Sequence, residues 1–151
     1  MTTATDTSPE LIADFVDEAL ESLRPLPGMF EAFRTHPECF DPIHAVFRAV
    51  HSVKGCAGFL GLLAVKQLAH ALENTLDEVR KGKLTLTEDL QRALIRGFDA
   101  LDTLLQHAGD GNVETELSEE DAALLVEVEQ ASLAARGELE PEVQLLAQLK
   151  E

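Results

Sequence analysis

Apolar residues recur at steps of three and four along most of the chain, which is the spacing of one face of an α-helix. Four segments carry such a stripe before the glycine-rich stretch at 109–112. The stripes are Leu11, Ile12, Phe15, Ala19 and Leu23; Ile43, Val46, Val50, Val53, Ala57 and Leu60; Val65, Leu68, Ala69, Leu72, Leu76 and Val79; and Leu90, Leu94, Gly97, Leu101 and Leu104. Each segment predicts an amphipathic helix with one face turned toward a shared core.

Residues that favour helix starts stand before three of these segments. Ser8 and Thr87 are suited to cap the first and fourth helices, and Asp41 is suited to cap the second just before Pro42. The third helix is expected over about 62–80. These signals divide the helical pattern into separate helices joined by short loops.

The first helix is expected to break near its end. Pro25, Pro27 and Gly28 interrupt its pattern, and proline removes a helical hydrogen bond. A short second segment is therefore expected over about 28–35.

Short loops between long amphipathic helices predict antiparallel neighbours. The predicted fold is all-α: an antiparallel up-and-down four-helix bundle with one or two additional C-terminal helices, at about 119–135 and 141–150. The predicted organisation is a disordered N-terminus (1–8), the bundle (9–108), a linker (109–117) and an acidic C-terminal helical extension (118–151).

Charge is distributed unevenly along the chain. The formal net charge is −16, and the part after residue 109 holds 12 acidic and 2 basic residues. So acidic a chain is a poor partner for nucleic acid or an anionic membrane surface. The N-terminus has no basic region followed by an apolar run, and the two cysteines, Cys39 and Cys56, make no disulfide framework. We expect a cytoplasmic protein with reduced thiols, with Cys56 as a small core residue.

The most unusual stretch is HSVKGCAGFLG, residues 51–61. His51, Lys54 and Gly55 share one helix face, and Gly58 extends that face by a turn. Each glycine within a helix costs about 1 kcal/mol relative to alanine. The glycines are worth that cost if something large must approach the imidazole.

His-x-x-Lys-Gly-x-Ala-x-x-x-Gly resembles the signature of histidine-containing phosphotransfer domains. The surrounding FRAVHSVKGCAGFLG and AHALENTLDEVRKGKL resemble more closely the N-terminal phosphotransfer domain of CheA-type chemotaxis histidine kinases. The resemblance covers roughly residues 9–108, and the break after the first helix departs from it.

The resemblance implies a phosphoryl relay through an imidazole. His51 would be the phosphoacceptor at Nε2, with Nδ1 held by Glu73, which orients and activates the ring. Lys54 would pair with incoming phosphoryl oxygens, and His70 would support the cluster. Glu73 is expected at an exposed position, so its contribution to stability is predicted to be small.

A partner surface is expected around His51. Gly55 and Gly58 would let a response regulator approach, and Phe47 and His44 lie one and two turns before His51 on its face. Plain packing at the rim remains the alternative for Phe47, and an ordinary surface position the alternative for His44.

Three rival interpretations use the same residues. His51, His70 and Glu73 would make an open metal site, although Lys54 would repel a cation. A purely structural bundle leaves the glycines unexplained. A standalone phosphorelay protein, unconnected with chemotaxis, shares the histidine motif.

The sequence contains no Gly-rich nucleotide-binding box. We therefore expect no cofactor and no metal in this chain, with ATP used by a separate kinase domain. The expected partners are a histidine kinase ATP-binding domain and the receiver domain of a response regulator.

Overall fold

The computed structural model describes residues 8–137, and within them every regular element is a helix. The helices are α1 (Pro9–Leu23), α2 (Leu26–Thr35), α3 (Asp41–Phe59), α4 (Leu63–Arg80), α5 (Glu88–Gly109) and α6 (Glu119–Gly137). The all-α prediction is confirmed. Of the N-terminus expected to be disordered (1–8), residues 1–7 lie outside the described residues, as does the expected helix at 141–150, while Ser8 is described as the cap of α1.

Two of the three predicted caps are present. The Ser8 hydroxyl accepts a hydrogen bond from the Leu11 N–H, and the Thr87 hydroxyl accepts one from the Leu90 N–H, both at 3.1 Å. The prediction for Asp41 was wrong. The helix already includes Asp41, Phe40 occupies the cap position and no side chain caps the end.

The first arm of the bundle is broken, as predicted, but α2 begins at Leu26 rather than near residue 28. Proline at the first turn of a helix loses no hydrogen bond, so Pro27 starts α2 instead of delaying it. Phe30 of α2 stacks on Phe98 of α5, with ring centroids 5.5 Å apart. The second segment thus continues the packing of α1 along α5.

The four arms close into a bundle. The arm formed by α1 and α2 packs against α3 and α5, α3 packs against α4, and α4 packs against α5. The largest fully buried side chains come from every arm and from the loop before α4: Leu26, Phe30, Ile43, Val46, Leu62, Leu68, Leu72, Leu76, Leu90, Leu94, Leu101 and Leu105. The α3–α4 pair is the one that carries the site.

The acidic helix α6 packs against α4 and α5. Val128 and Ala135 are buried in the same core as the bundle. Ion pairs join Arg96 to Glu127 and Arg136 to Glu78 at its edges. The first predicted C-terminal helix is therefore attached to the bundle despite its different charge.

No helix within residues 8–137 is both long and apolar enough to cross a membrane. The expectation for Cys56 was wrong: its thiol is exposed, and the neighbouring Ala57 occupies the core position on α3.

Candidate phosphoacceptor site

Three side chains from α3 and α4 form a hydrogen-bonded triad, which we call the His51–Glu73–Lys54 triad. Glu73 Oε2 lies 2.7 Å from His51 Nδ1, and Glu73 Oε1 accepts a hydrogen bond from Lys54 Nζ at 2.8 Å. His51 and Lys54 are three residues apart on α3, so both face α4. One carboxylate of α4 therefore binds two groups of α3.

Glu73 is buried, contrary to the exposed position expected for it; its side chain is 11% exposed. The cause is its neighbours, because Leu72 and Leu76 anchor this face of α4 in the core. Burial raises the pKa of the Glu73 carboxyl, but the hydrogen bonds and positive charges of Lys54 and His51 outweigh burial and leave that pKa below its ordinary value of 4.5. Glu73 is thus held as a carboxylate.

The contact with Glu73 assigns the hydrogen of the neutral imidazole. A carboxylate only accepts hydrogen bonds, so Nδ1 carries the hydrogen and donates it. Nε2 then keeps its lone pair and has no hydrogen-bond partner within residues 8–137. Because the His51 side chain is 60% exposed, an external group can reach that nitrogen.

The face of the imidazole also has a partner. The Phe47 ring stacks on the His51 ring, with centroids 5.9 Å apart and planes 15° apart. The Arg80 guanidinium carbon lies 4.0 Å from the centroid of the Phe47 ring. Arg80 was not among the predicted site residues, although it follows Glu73 by two helical turns on α4 and this spacing was the available signal.

The three glycines of the motif have different surroundings. A side chain at Gly55 would meet open space. Gly58 is covered by Lys66, whose Cδ would lie 3.3 Å from an added Cβ, and Gly61 has a φ of +75°, which favours glycine. Only Gly55 presents bare backbone beside His51, so the continuous bare strip expected through Gly58 is absent.

The remaining predicted site residues lie outside the triad. His70 is exposed on α4 and forms no hydrogen bond or ion pair within the part of the chain that the structure describes. Within residues 8–137, no three side chains of His, Cys, Asp or Glu are grouped so as to hold a metal ion, so His51, His70 and Glu73 do not form the rival metal site there. His44 is half-buried, with its ring 6.2 Å from that of Phe40.

A second histidine–carboxylate pair shows what distinguishes the triad. His107 Nδ1 lies 3.0 Å from Glu114 Oε1, but the Glu114 side chain is 37% exposed. No lysine or arginine pairs with Glu114 within the described residues, whereas Lys54 pairs with Glu73. The buried, doubly bonded carboxylate is the particular feature of His51.

Two known proteins are similar to this chain in sequence. The chain is 33% identical over 125 residues to the chemotaxis protein CheA of Bacillus subtilis (strain 168), covering 82% of this chain and 19% of that protein. It is 31% identical over 112 residues to the sensor histidine kinase CheAY of Helicobacter pylori, covering 74% of this chain and 14% of that protein. The chain thus spans less than a fifth of the length of these relatives.

Two solved structures share the fold. The phosphorylated P1 domain of CheA3, in complex with CheY6 from R. sphaeroides, superposes with a TM-score of 0.72 at 21% identity, covering 85% of this chain and 99% of that one. The solution structure of the histidine phosphotransfer domain of CheA superposes with a TM-score of 0.67 at 26% identity, covering 83% of this chain and 94% of that one. The family model for the Hpt domain matches residues 10–110, and the chain therefore belongs to the Hpt domain family.

Proposed function

We propose that this chain is the histidine phosphotransfer domain of a chemotaxis-type two-component kinase. His51 accepts a phosphoryl group from ATP bound to a separate kinase domain and passes it to an aspartate of a response regulator. The observation that carries the proposal is the 2.7 Å contact between His51 Nδ1 and a buried carboxylate, which leaves Nε2 exposed as the nucleophile.

In the first step, the Nε2 lone pair attacks the γ-phosphorus of ATP. A nitrogen–phosphorus bond forms, and the bond from phosphorus to the bridging oxygen breaks to release ADP. The imidazole becomes positively charged, because Nδ1 retains its hydrogen. Glu73 stabilises that charge through the bond already in place, which needs no rearrangement during the reaction.

Lys54 has two tasks in this scheme. Its ammonium bonds Glu73 Oε1, so the carboxylate has a cationic partner even before His51 acquires charge. An ammonium carries three N–H groups, and those not bonded to Glu73 are the proposed donors to the phosphoryl oxygens. His70 would act only at the margin of the site, since within residues 8–137 it forms no hydrogen bond, ion pair or ring contact with a member of the triad.

In the second step, a regulator aspartate attacks the phosphorus. The nitrogen–phosphorus bond breaks, an oxygen–phosphorus bond forms and the imidazole returns to its neutral form. The receiver domain must approach closely for this transfer. Gly55, with open space where a side chain would stand, supplies the proposed approach beside His51.

The chemotaxis assignment is supported by the relatives, which are CheA proteins and CheAY rather than standalone phosphorelay proteins. One structural relative is in complex with CheY6. We propose a CheY-like receiver as the acceptor and the cytoplasm, where ATP is available, as the compartment.

Incubation with radiolabelled ATP and the kinase portion of a CheA relative tests the proposal. We expect label on the wild-type domain and none on His51→Gln. His107→Gln is the matched control, because it removes a histidine that also pairs with a glutamate, and it should be labelled normally. Label that survives in His51→Gln would refute the assignment.

A further inference from the structure

Phe47, Arg80 and Asp77 form a column beside the phosphoacceptor. The Phe47 ring stacks on the His51 ring with centroids 5.9 Å apart, and the Arg80 guanidinium carbon lies 4.0 Å from the centroid of the Phe47 ring. Asp77 Oδ1 in turn accepts a hydrogen bond from Arg80 Nε at 2.7 Å and lies 2.6 Å from Arg80 Nη2. The column joins α4 to α3 a second time, one to two turns away from Glu73.

We propose that Phe47 and Arg80 are positioning residues for phosphoryl transfer: Phe47 fixes the plane of the His51 ring, and Arg80 fixes Phe47. This inference rests on the proposed function for its consequence in catalysis. The fixed ring plane is a property of the unphosphorylated domain and is measurable without any partner.

The need for a second restraint follows from the torsion of histidine. Rotation about the bond between Cβ and the ring is broad, unlike the sharp wells of saturated torsions. A single hydrogen bond at Nδ1 leaves the ring free to swing about that contact, which moves Nε2 sideways. A stacked ring opposes this swing, so the edge and the face of the imidazole are held by different groups.

Arg80 suits the task because it is itself held. A guanidinium over an aromatic ring is attracted to the ring face, and its plane stacks on the ring. Asp77 fixes the orientation of that plane, and its second oxygen accepts from Lys81 Nζ at 2.9 Å. The hydrogen bonds of Lys81 and Arg80 hold the pKa of Asp77 below its ordinary value. Arg80 is therefore anchored on the side of α4 next to the site.

The column also accounts for the position of Phe47. Phe47 is only partly buried and packs at the edge of the core. If it served packing alone, its loss would lower stability and leave the motion of the His51 ring unchanged. A positioning role predicts that its loss changes the motion of the His51 ring, because the Phe47 ring contacts both the His51 ring and the Arg80 guanidinium.

The test compares Arg80→Gln, Arg80→Lys and Phe47→Leu with the wild-type domain. Arg92→Gln is the matched control, because Arg92 on α5, like Arg80 on α4, pairs with carboxylate side chains of its own helix but has no aromatic partner within the described residues. The first readout is NMR of the His51 ring protons and their couplings in the unphosphorylated domain. The second is kcat and KM for phosphorylation by the kinase domain and ATP.

We expect Arg80→Gln to average the His51 ring signals and to lower kcat by roughly tenfold, with KM within about twofold of wild type. Arg80→Lys should recover part of both losses, since it restores the cation without the planar stack. Phe47→Leu should show a larger effect than Arg80→Gln. Arg92→Gln should match wild type in both readouts.

Unchanged ring signals in Arg80→Gln overturn the inference, whatever the kinetics show. A lowered thermal midpoint together with wild-type ring signals would also overturn it, because that outcome would show that the two residues serve packing alone. If the wild-type domain accepts no phosphate, the proposed function fails, while the ring signals still decide whether the column positions His51. Because Arg80 lies at the surface, its variants test the column even if Phe47→Leu does not fold.

Discussion

Glu73 on α4 holds His51 on α3 by one oxygen and Lys54 by the other. The two residues of the 2.7 Å contact are 22 positions apart in sequence, and only the antiparallel packing of the two helices brings them together. Little solvent competes for these bonds, because the Glu73 side chain is only 11% exposed. The orientation of the His51 imidazole is thus fixed by the packing of α3 against α4.

Replacing Glu73 should separate reactivity from stability. Glu73→Gln keeps the shape but loses the charge, and we expect phosphorylation to slow on the order of tenfold to a hundredfold because the tautomer is no longer fixed. Glu73→Ala should also lower the free energy of unfolding by about 1–3 kcal/mol, since Lys54 loses its buried partner. Kinase assays and urea unfolding of both variants measure the two effects. A wild-type rate in Glu73→Gln would contradict this role.

The lowered pKa of Glu73 sets a pH dependence of stability. A carboxyl whose pKa is lower in the folded state stabilises the fold above its unfolded pKa, near 4.5, and loses that contribution as the pH falls through the folded pKa. The free energy of unfolding of the wild type should therefore exceed that of Glu73→Gln by a constant amount above pH 4.5, and the gap should shrink below it. Paired urea titrations between pH 7 and pH 3 measure the gap. A gap that stays constant over that range would show that the carboxylate charge contributes nothing.

Gly55 is expected to matter for the partner and not for the fold. Gly55→Gln should fold at least as stably as wild type, because glycine is the poorer helix former and the space is open. Transfer from the phosphorylated domain to a purified receiver should slow by about tenfold or more, since a side chain would separate the two proteins. Gly28→Gln is the control: Gly28 is also helical with open space around it, but it lies on α2. Equal transfer rates for the two variants would mean that Gly55 does not serve partner access.

The attachment of α6 to the bundle can be tested by making the same substitution, valine to aspartate, at two positions of the helix. Val128 is 3% exposed and Val126 is 51% exposed on the same helix. Val128→Asp should destabilise the contact of α6 with α4 and α5 by about 3 kcal/mol, because it buries an unpaired charge, whereas Val126→Asp should stay within about 0.5 kcal/mol. Amide exchange of α6 in each variant is the measurement. Equal protection in both variants would show that α6 does not pack through Val128.

Sequence periodicity was sufficient to predict the bundle, because a helical stripe repeats along one segment. The pairing of His51 with Glu73 was predicted from the family resemblance, since the two residues are 22 positions apart and no local pattern joins them. The burial of Glu73 was not predictable, because it depends on how far α4 is rotated toward α3.

The column of Phe47 and Arg80 was missed for a similar reason. Arg80 lies two helical turns after Glu73, but that spacing alone does not show that it reaches across to a ring on α3. Gly55 and Gly58 were expected to form one bare strip, yet Lys66 from α4 covers Gly58. Contacts between side chains of different helices decided each case.

The central claim is that Glu73 reserves Nδ1 and leaves Nε2 of His51 to accept the phosphoryl group. NMR of the domain labelled with ¹⁵N-histidine, before and after phosphorylation by kinase and ATP, tests it directly. We predict a hydrogen on Nδ1 in both states and phosphorus coupling at Nε2 of His51 alone. Phosphorus on Nδ1 of His51, or on any other histidine, would contradict the account.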